Sequence, residues 1–295
     1  MIKRVTALVV VLTMMVLATS LSGTPNAARL LVGRVHESFQ PTNGKVFVLV
    51  IGNDARAGNP TNSRADAIHI VGLNTDTMRG GILNFPRDSW VPIPGYGSGK
   101  INEALYHGGP DLLARTLENL TGIHLDYWVM VGFEDFVNIM SDLGGVTMNV
   151  PQAAYDPSGS GARIKAGKQH LKAKQALAYL RTRHSFGGGD VTRTTNHGRF
   201  LIAMLQKLKR KVTHNPTALL DWIAVSRRYA RYDASAAEMF RLGVVATKVR
   251  ARAIGNVTVP VSVGWMGAAS VVFISPSASS IYARFRQNGA LSVQR

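Results

Sequence analysis

Val46-Phe47-Val48-Leu49-Val50-Ile51, closed by Gly52 and a polar loop that opens with Asn53-Asp54, decides how the rest of the chain is read. An apolar run this short, rich in β-branched residues and bounded by Gly, makes a buried strand rather than a helix. Two similar runs follow at once. Residues 67–73 make a second strand, Asn74-Thr75-Asp76-Thr77 a turn, and residues 81–85 a third strand stopped by Pro86. If the three strands are neighbours running up, down and up, Asp54, Asp66 and Arg87 lie together at one end of a sheet. The turn at residues 74–77 lies at the other.

Downstream, helical and extended segments alternate. Pro110-Asp111 opens a helix that ends near Thr121-Gly122, and residues 134–143 form another, stopped by Gly144-Gly145. Strands are expected at residues 127–132 and 146–150. The second half is mostly helical, at about residues 172–181, 192–211, 216–231 and 235–252, with a strand near residues 257–263 and a short helix near residues 279–287. Strands interleaved with helices predict a layered α/β/α domain around a mixed central sheet. The domain is expected over residues 45–290.

Ahead of it, residues 5–21 are apolar apart from Thr and Ser, and no charge interrupts the chain between Arg4 and Arg29. About 20 such residues cross a bilayer, so residues 1–28 are expected to be a short cytoplasmic end and one transmembrane helix, followed by a stalk over residues 29–44. The other reading is a cleaved signal peptide, with Ala18-Thr19-Ser20 as its small-residue site. In either case the domain lies outside the cytoplasm.

The 295 residues are 46% hydrophobic and 17% charged, a globular composition, and the absence of cysteine excludes disulfides, thiolate metal sites and a cysteine nucleophile. The formal charge of +17 is uneven: residues 31–150 carry a net −4 and residues 151–295 a net +18. A chain divided in this way can hold a cation beside a polyanion, or simply present a basic face to anionic lipid or wall polymer.

Two clusters carry possible chemistry. Asp54 and Asp66 at one sheet end would repel unless a cation lay between them, and hard carboxylate ligands suit Mg²⁺ or Mn²⁺; the alternative is loop aspartates paired with Arg56 and Arg64. Arg181, Arg183, Arg193 and His197 form the second cluster, with Arg193 and His197 one helical turn apart and Gly187-Gly188-Gly189 able to fold one helix back on the other. Converging guanidiniums are costly without an anion among them, and their forks match phosphate oxygens; the alternative is a solvated basic surface. Gly95-Tyr96-Gly97-Ser98-Gly99-Lys100 fails as a phosphate loop, because its spacing is short and Ile101 replaces the required Ser/Thr.

These segments closely resemble the LytR-CpsA-Psr family. The resemblance is carried by Val48-Leu49-Val50-Ile51-Gly52-Asn53-Asp54-Ala55-Arg56, Ser63-Arg64-Ala65-Asp66, Phe85-Pro86-Arg87-Asp88, Lys100-Ile101-Asn102-Glu103-Ala104, Ala166-Gly167-Lys168-Gln169-His170-Leu171 and Gln175-Ala176-Leu177-Ala178-Tyr179-Leu180-Arg181-Thr182-Arg183. It implies a membrane-anchored phosphotransferase that moves a glycopolymer from a polyprenyl-pyrophosphate carrier onto a hydroxyl of peptidoglycan, releasing polyprenyl phosphate. By position, Asp54 and Asp66 would hold the metal, and Arg87, Arg181, Arg183 and Arg193 the pyrophosphate. His197 stands where the family usually has Gln and would join the pyrophosphate-binding residues as a donor to a phosphate oxygen, with a charge that follows pH; Asn196 stands where many relatives have Arg. The competing functions are hydrolysis of the same lipid pyrophosphates and non-catalytic binding of lipid-linked glycan. An external domain behind an anchor argues against a nucleic-acid partner.

Overall fold

The computed structural model describes residues 30–34, 44–54, 63–232 and 236–293. Strands β1 (Leu30–Arg34), β2 (Lys45–Asn53), β3 (Ala65–Asn74) and β4 (Arg79–Phe85) are followed by the hairpin β5 (Trp90–Ile93) and β6 (Gly97–Lys100). Helix α1 (Glu103–Thr121), strand β7 (Tyr127–Gly132) and helix α2 (Phe133–Asp142) come next, then the short strands β8 (Val146–Val150), β9 (Ala154–Asp156), β10 (Ala162–Ile164) and β11 (Gly167–Leu171). Helices α3 (Ala173–Arg181), α4 (Gly189–His214) and α5 (Ala218–Arg228) lead through β12 (Ala230–Tyr232) to α6 (Ala236–Lys248) and β13 (Ile254–Thr258). The hairpin β14 (Val261–Met266) and β15 (Ala269–Ile274) and helix α7 (Ala278–Asn288) complete the order.

The central sheet runs β12-β1-β7-β2-β3-β4-β13 and is mixed. Strands β2, β3 and β4 are consecutive antiparallel neighbours, whereas β7 lies parallel to β2 and β13 parallel to β4. Alternation sorts the side chains into two faces. Phe47, Leu49 and Ile51 of β2, Ile68 and Ile70 of β3, and Leu83 and Phe85 of β4 join one buried cluster with Leu105, Leu113 and Leu117 of α1 and Phe285 of α7. The opposite face carries Val71 and Leu73 of β3 and Ile82 of β4, which pack with Leu201, Ile202 and Leu205 of α4. Helices thus cover both faces of the sheet.

Helix α4 lies close to the sheet because Gly198 faces Asn256 of β13; an added Cβ would run into the Asn256 amide. That amide donates to the Thr195 carbonyl at 3.0 Å, which ties the helix to the sheet edge. The helix opened by Pro110 is the second part of α1, whose regular backbone is interrupted at Gly108 and Gly109, the latter at φ 68°.

One expectation falls outside the described residues, and several others need correction. The membrane helix over residues 1–28 lies outside the described residues, and among those described no helix is long and apolar enough to cross a membrane. Residues 30–34, expected in a stalk, form β1: the Leu30-Leu31-Val32 run is enough for a strand once β7 and β12 are there to pair with it. The helix expected over residues 216–231 stops at Arg228, because residues 230–232 pair with β1. The strand expected near residues 257–263 is two strands separated at Val259-Pro260. The glycine-rich stretch at residues 95–100 is the turn and second strand of the β5–β6 hairpin.

Candidate active site at the end of the central sheet

The up-down-up order of β2, β3 and β4 does bring Asp54, Asp66 and Arg87 to one end of the sheet. A register shift falls there. Gly52 pairs with Ala67 and Asn53 with Ala65, so Asp66 is the extra residue of a β-bulge. A bulge frees the backbone from the ladder and re-aims the side chain. Both consequences are visible: an Asp66 carboxylate oxygen accepts a hydrogen bond from the Arg87 guanidinium, and the Asp66 carbonyl accepts one from Arg193 at 3.0 Å. Neither Arg56, which lies outside the described residues, nor Arg64 is needed to explain Asp66.

Arg87 follows Pro86 at the end of β4 and is surrounded by carboxylates. Besides Asp66, its Nε lies 3.7 Å from Asp88 and 4.0 Å from Asp190. Burial works against the guanidinium charge, but Asp66, then Asp88 and Asp190 outweigh it, and the net shift is upward. Arg193, on the first turns of α4, is only 4% exposed and pairs with Asp190 at 2.7 Å. Here burial dominates and the shift is downward, with Arg87 and Arg183 adding to it against Asp190 and Asp66. Nε of Arg87 and Nε of Arg193 are buried and make no hydrogen bond, although both carry a proton to give.

Asp190 is the residue that sequence reading missed. Its signal was present as an acidic residue three before Arg193 in the first turn of a helix, a position that also suits the helix dipole. Asp88 is shared with Lys100, 3.0 Å away, so β6 braces the same cluster.

Beside the charged groups, α2, α3, α4 and the β2–β3 face line a cavity of about 280 Å³. Asp66, Arg181 and Arg193 stand at its polar end, and Phe136, Met140, Leu177, Phe200 and Met204 are among the apolar side chains along its walls. Arg181 lies at the end of α3 with its guanidinium 4.8 Å over the Phe133 ring. Arg183 follows in the connection to α4, half-buried and close enough to Arg193 to act on its charge.

His197, expected among the phosphate-binding residues, is held by contacts within the protein. It is buried, its Nε2–H donates to the Leu180 carbonyl at 2.7 Å, and its Nδ1 lies 3.2 Å from Nε2 of His69. Both ring nitrogens thus lie against protein atoms rather than solvent. Burial first, then His69 and Arg193, push its pKa well below the usual histidine range. Asn196 is buried too, and its side-chain oxygen accepts from Arg199 at 2.7 Å.

Among the described residues no group of three or more His, Asp or Glu side chains is arranged to hold a metal. At this end of the sheet Asp54 is exposed and Asp66 partly buried; a cation of the Mg²⁺ class typically takes one or two carboxylates and completes its shell with water and substrate phosphate.

Comparison with known proteins agrees with this geometry. The profile of the LytR_cpsA_psr family matches residues 14–286. A probable cell wall biosynthesis protein LcpB of Corynebacterium glutamicum is 34% identical over 189 residues, which cover 64% of this chain and 43% of that protein. The polyisoprenyl-teichoic acid–peptidoglycan teichoic acid transferase TagT of Bacillus subtilis is 33% identical over 187 residues, covering 60% of this chain and 57% of TagT. The chain therefore spans less than two thirds of the length of either relative. A solved structure of the LytR-CPS2A-psr family protein YwtF (TagT) with bound octaprenyl pyrophosphate lipid superposes with a TM-score of 0.65 at 21% identity, over 86% of this chain and 93% of that one.

Proposed function

The chain belongs to the LytR-CpsA-Psr family, and from that premise we propose that it transfers a glycopolymer from a polyprenyl-pyrophosphate carrier to a hydroxyl of peptidoglycan, releasing polyprenyl phosphate. The observation that carries this reading is the joining of two surfaces: a cluster of paired arginines and carboxylates borders a mainly apolar cavity. A pyrophosphate ester of a prenyl alcohol has the same division, two negative phosphates on an apolar chain. The related structure that holds octaprenyl pyrophosphate supports placing the tail in this cavity.

In the reaction an acceptor hydroxyl attacks the sugar-side phosphorus, the anhydride bond breaks, and polyprenyl phosphate leaves with the electron pair. Negative charge grows on the leaving phosphate. Arg87 and Arg193, each with a buried Nε–H that makes no hydrogen bond, are placed to receive it, and Arg181 and Arg183 add to the positive charge. Their charges are balanced in the free protein by Asp66, Asp88 and Asp190, so the site is held in place before the anion arrives. Asp54 and Asp66 would hold Mg²⁺ or Mn²⁺, which supplies Lewis-acid polarisation of the phosphoryl oxygens. The general base is not assigned to one aspartate.

The domain over residues 45–290 would stand outside the cytoplasm, carried by the apolar segment within residues 1–28. The test uses the detergent-solubilised full chain with a farnesyl-pyrophosphoryl glycan, a peptidoglycan fragment and Mg²⁺. Transfer gives glycan joined to the fragment, hydrolysis gives free phosphoglycan, and a pure binder gives neither. Met204→Arg, at the apolar wall, should raise KM for the farnesyl substrate far more than it lowers turnover.

A further inference from the structure

Behind the charged cluster lies a chain of three polar contacts that the reaction does not use. It runs from Asn84 through His69 and His197 to the Leu180 carbonyl. Nδ1 of His69 is 2.8 Å from Oδ1 of Asn84, Nε2 of His69 is 3.2 Å from Nδ1 of His197, and Nε2 of His197 is 2.7 Å from the Leu180 carbonyl. The Asn84 amide cannot be turned round, because its Nδ2 donates to Oδ1 of Asn256 at 2.8 Å and to the Val257 carbonyl at 2.9 Å. Both ends of the chain are therefore acceptors.

Counting protons exposes a deficit. His69 must donate from Nδ1 and His197 from Nε2, and two neutral imidazoles have only those two N–H groups. The middle contact then faces two bare nitrogens. One additional proton, held between Nε2 of His69 and Nδ1 of His197, would complete the third hydrogen bond and make the pair a cation. In the free protein that proton is resisted: burial above all, and then Arg193, lower His69 to about 4 even against its bond to Asn84, and the same two influences together with His69 hold His197 low.

The surroundings of the pair contain little else that is charged. Arg193 lies one turn away on α4, Arg181 ends α3, and Asp66 on β3 is engaged by Arg87. Strand β4 contributes Asn84 and strand β13 contributes Asn256, both neutral amides, while α2 contributes Phe133, Phe136, Ile139 and Met140. His69 and His197 line the same cavity as Arg181 and Arg193. A dianion bound at those arginines would offset the positive field that Arg193 exerts on the pair.

We propose that the His69–His197 pair takes up one proton from solvent when the pyrophosphate diester binds, and that the resulting imidazole–imidazolium couple adds a buried positive charge behind Arg193. This rests on the reading of the site as a pyrophosphate site. The proton forms one N–H bond and breaks none in the protein, its source being buffer. At an effective dielectric of about 20, negative charge placed at the neighbouring arginines favours the protonated pair, and the ligand brings two such charges. The two histidines act through charge on the bound phosphates rather than by contact, so they are positioning residues.

The test is calorimetric titration of the full-length protein in detergent with farnesyl-pyrophosphoryl-N-acetylglucosamine, without acceptor, near neutral pH. Both phosphates of this probe are esterified and have no proton to exchange near neutrality. Heats measured in PIPES, HEPES and Tris, which differ in ionisation enthalpy, give the number of protons exchanged. The expected result is uptake of roughly half to one proton per ligand and an affinity that falls up to about tenfold per pH unit as pH rises. His197→Gln should abolish the uptake and keep binding, since one amide NH₂ can donate both to Nε2 of His69 and to the Leu180 carbonyl. If that variant fails to fold, ¹⁵N-histidine spectra of the unmodified protein decide: three protonated nitrogens among the pair's four in the complex, against two in the free form. Binding with no buffer dependence overturns the proposal alone, as does equal uptake by the Gln variant. No binding of the probe overturns the pyrophosphate reading and this proposal with it.

Discussion

Arg87→Lys separates charge from geometry at the sheet end. The arginine fork bonds Asp66 through one terminal nitrogen, while its buried Nε–H, 3.7 Å from Asp88 and 4.0 Å from Asp190, makes no hydrogen bond. A lysine ammonium keeps the unit charge but is a single point on a flexible stem, and it cannot hold Asp66 and offer a second, fixed donor to a phosphate at once. The loss should appear mainly in turnover, because Arg181, Arg183 and Arg193 still attract the ground-state dianion. One missing preorganised donor to a developing oxyanion costs about 10²- to 10³-fold in rate. The stability cost is smaller. The Arg87 and Asp66 side chains are 23% and 18% exposed, so the cost of breaking a fully buried pair, about 3–5 kcal/mol, is an upper bound, and the retained charge of lysine reduces it to about 1 kcal/mol. The assay is single-turnover release of farnesyl phosphate, with urea unfolding run on the same preparation. Arg284→Ala, on the α7 surface away from the cluster, serves as the control and should change neither. Near-normal turnover in Arg87→Lys, with the fold intact, would refute the placement of the reacting phosphates beside Arg87.

Other consequences can be checked directly. Asp66→Asn should keep the fold, since the bulge is fixed by its backbone, and should lower activity while raising the Mg²⁺ concentration needed for half-maximal rate; unchanged Mg²⁺ dependence would remove Asp66 from the metal site. The free protein should lose stability as pH falls from about 6.5 to about 4: His69 is held neutral when folded but protonates near 6.5 when unfolded, so the unfolded state binds more protons over that interval. His69 alone accounts for about 3 kcal/mol of that loss, measurable as a falling urea midpoint that His69→Asn should flatten. Lys207→Met should destabilise by about 1–3 kcal/mol in thermal or urea unfolding, because Nζ of Lys207 caps the end of α2 by donating to the Leu143, Gly144 and Gly145 carbonyls.

Much of this site was legible in the chain because its signals are local. Gly52, Pro86 and the turn at residues 74–77 punctuate three strands, and strand direction alone carries Asp54, Asp66 and Arg87 to one end. The spacing of Arg193 and His197 likewise put them on one face of α4. What was not legible depends on pairing between distant segments. The bulge that aims Asp66 exists only in the register of β3 against β2, and β1 is a strand because β7 and β12 flank it. Asp190 looked like an ordinary first-turn acid until Arg87, 103 positions earlier, came within 4.0 Å of it. That His197 lies between His69 and the Leu180 carbonyl was not legible either, because both contacts join separate segments of the chain.

Transfer rather than hydrolysis or simple binding is tested most directly by the fate of the phosphorus atoms. The full-length protein is incubated with farnesyl-pyrophosphoryl glycan carrying ³²P in the sugar-side phosphate, a peptidoglycan fragment and Mg²⁺, and the products are separated and weighed by mass spectrometry. Labelled phosphorus should appear in a phosphodiester joining glycan to fragment, with unlabelled farnesyl monophosphate released in equal amount, and both should vanish in Arg193→Ala. Label recovered only as free phosphoglycan, or remaining on the lipid carrier, would contradict transfer at this site.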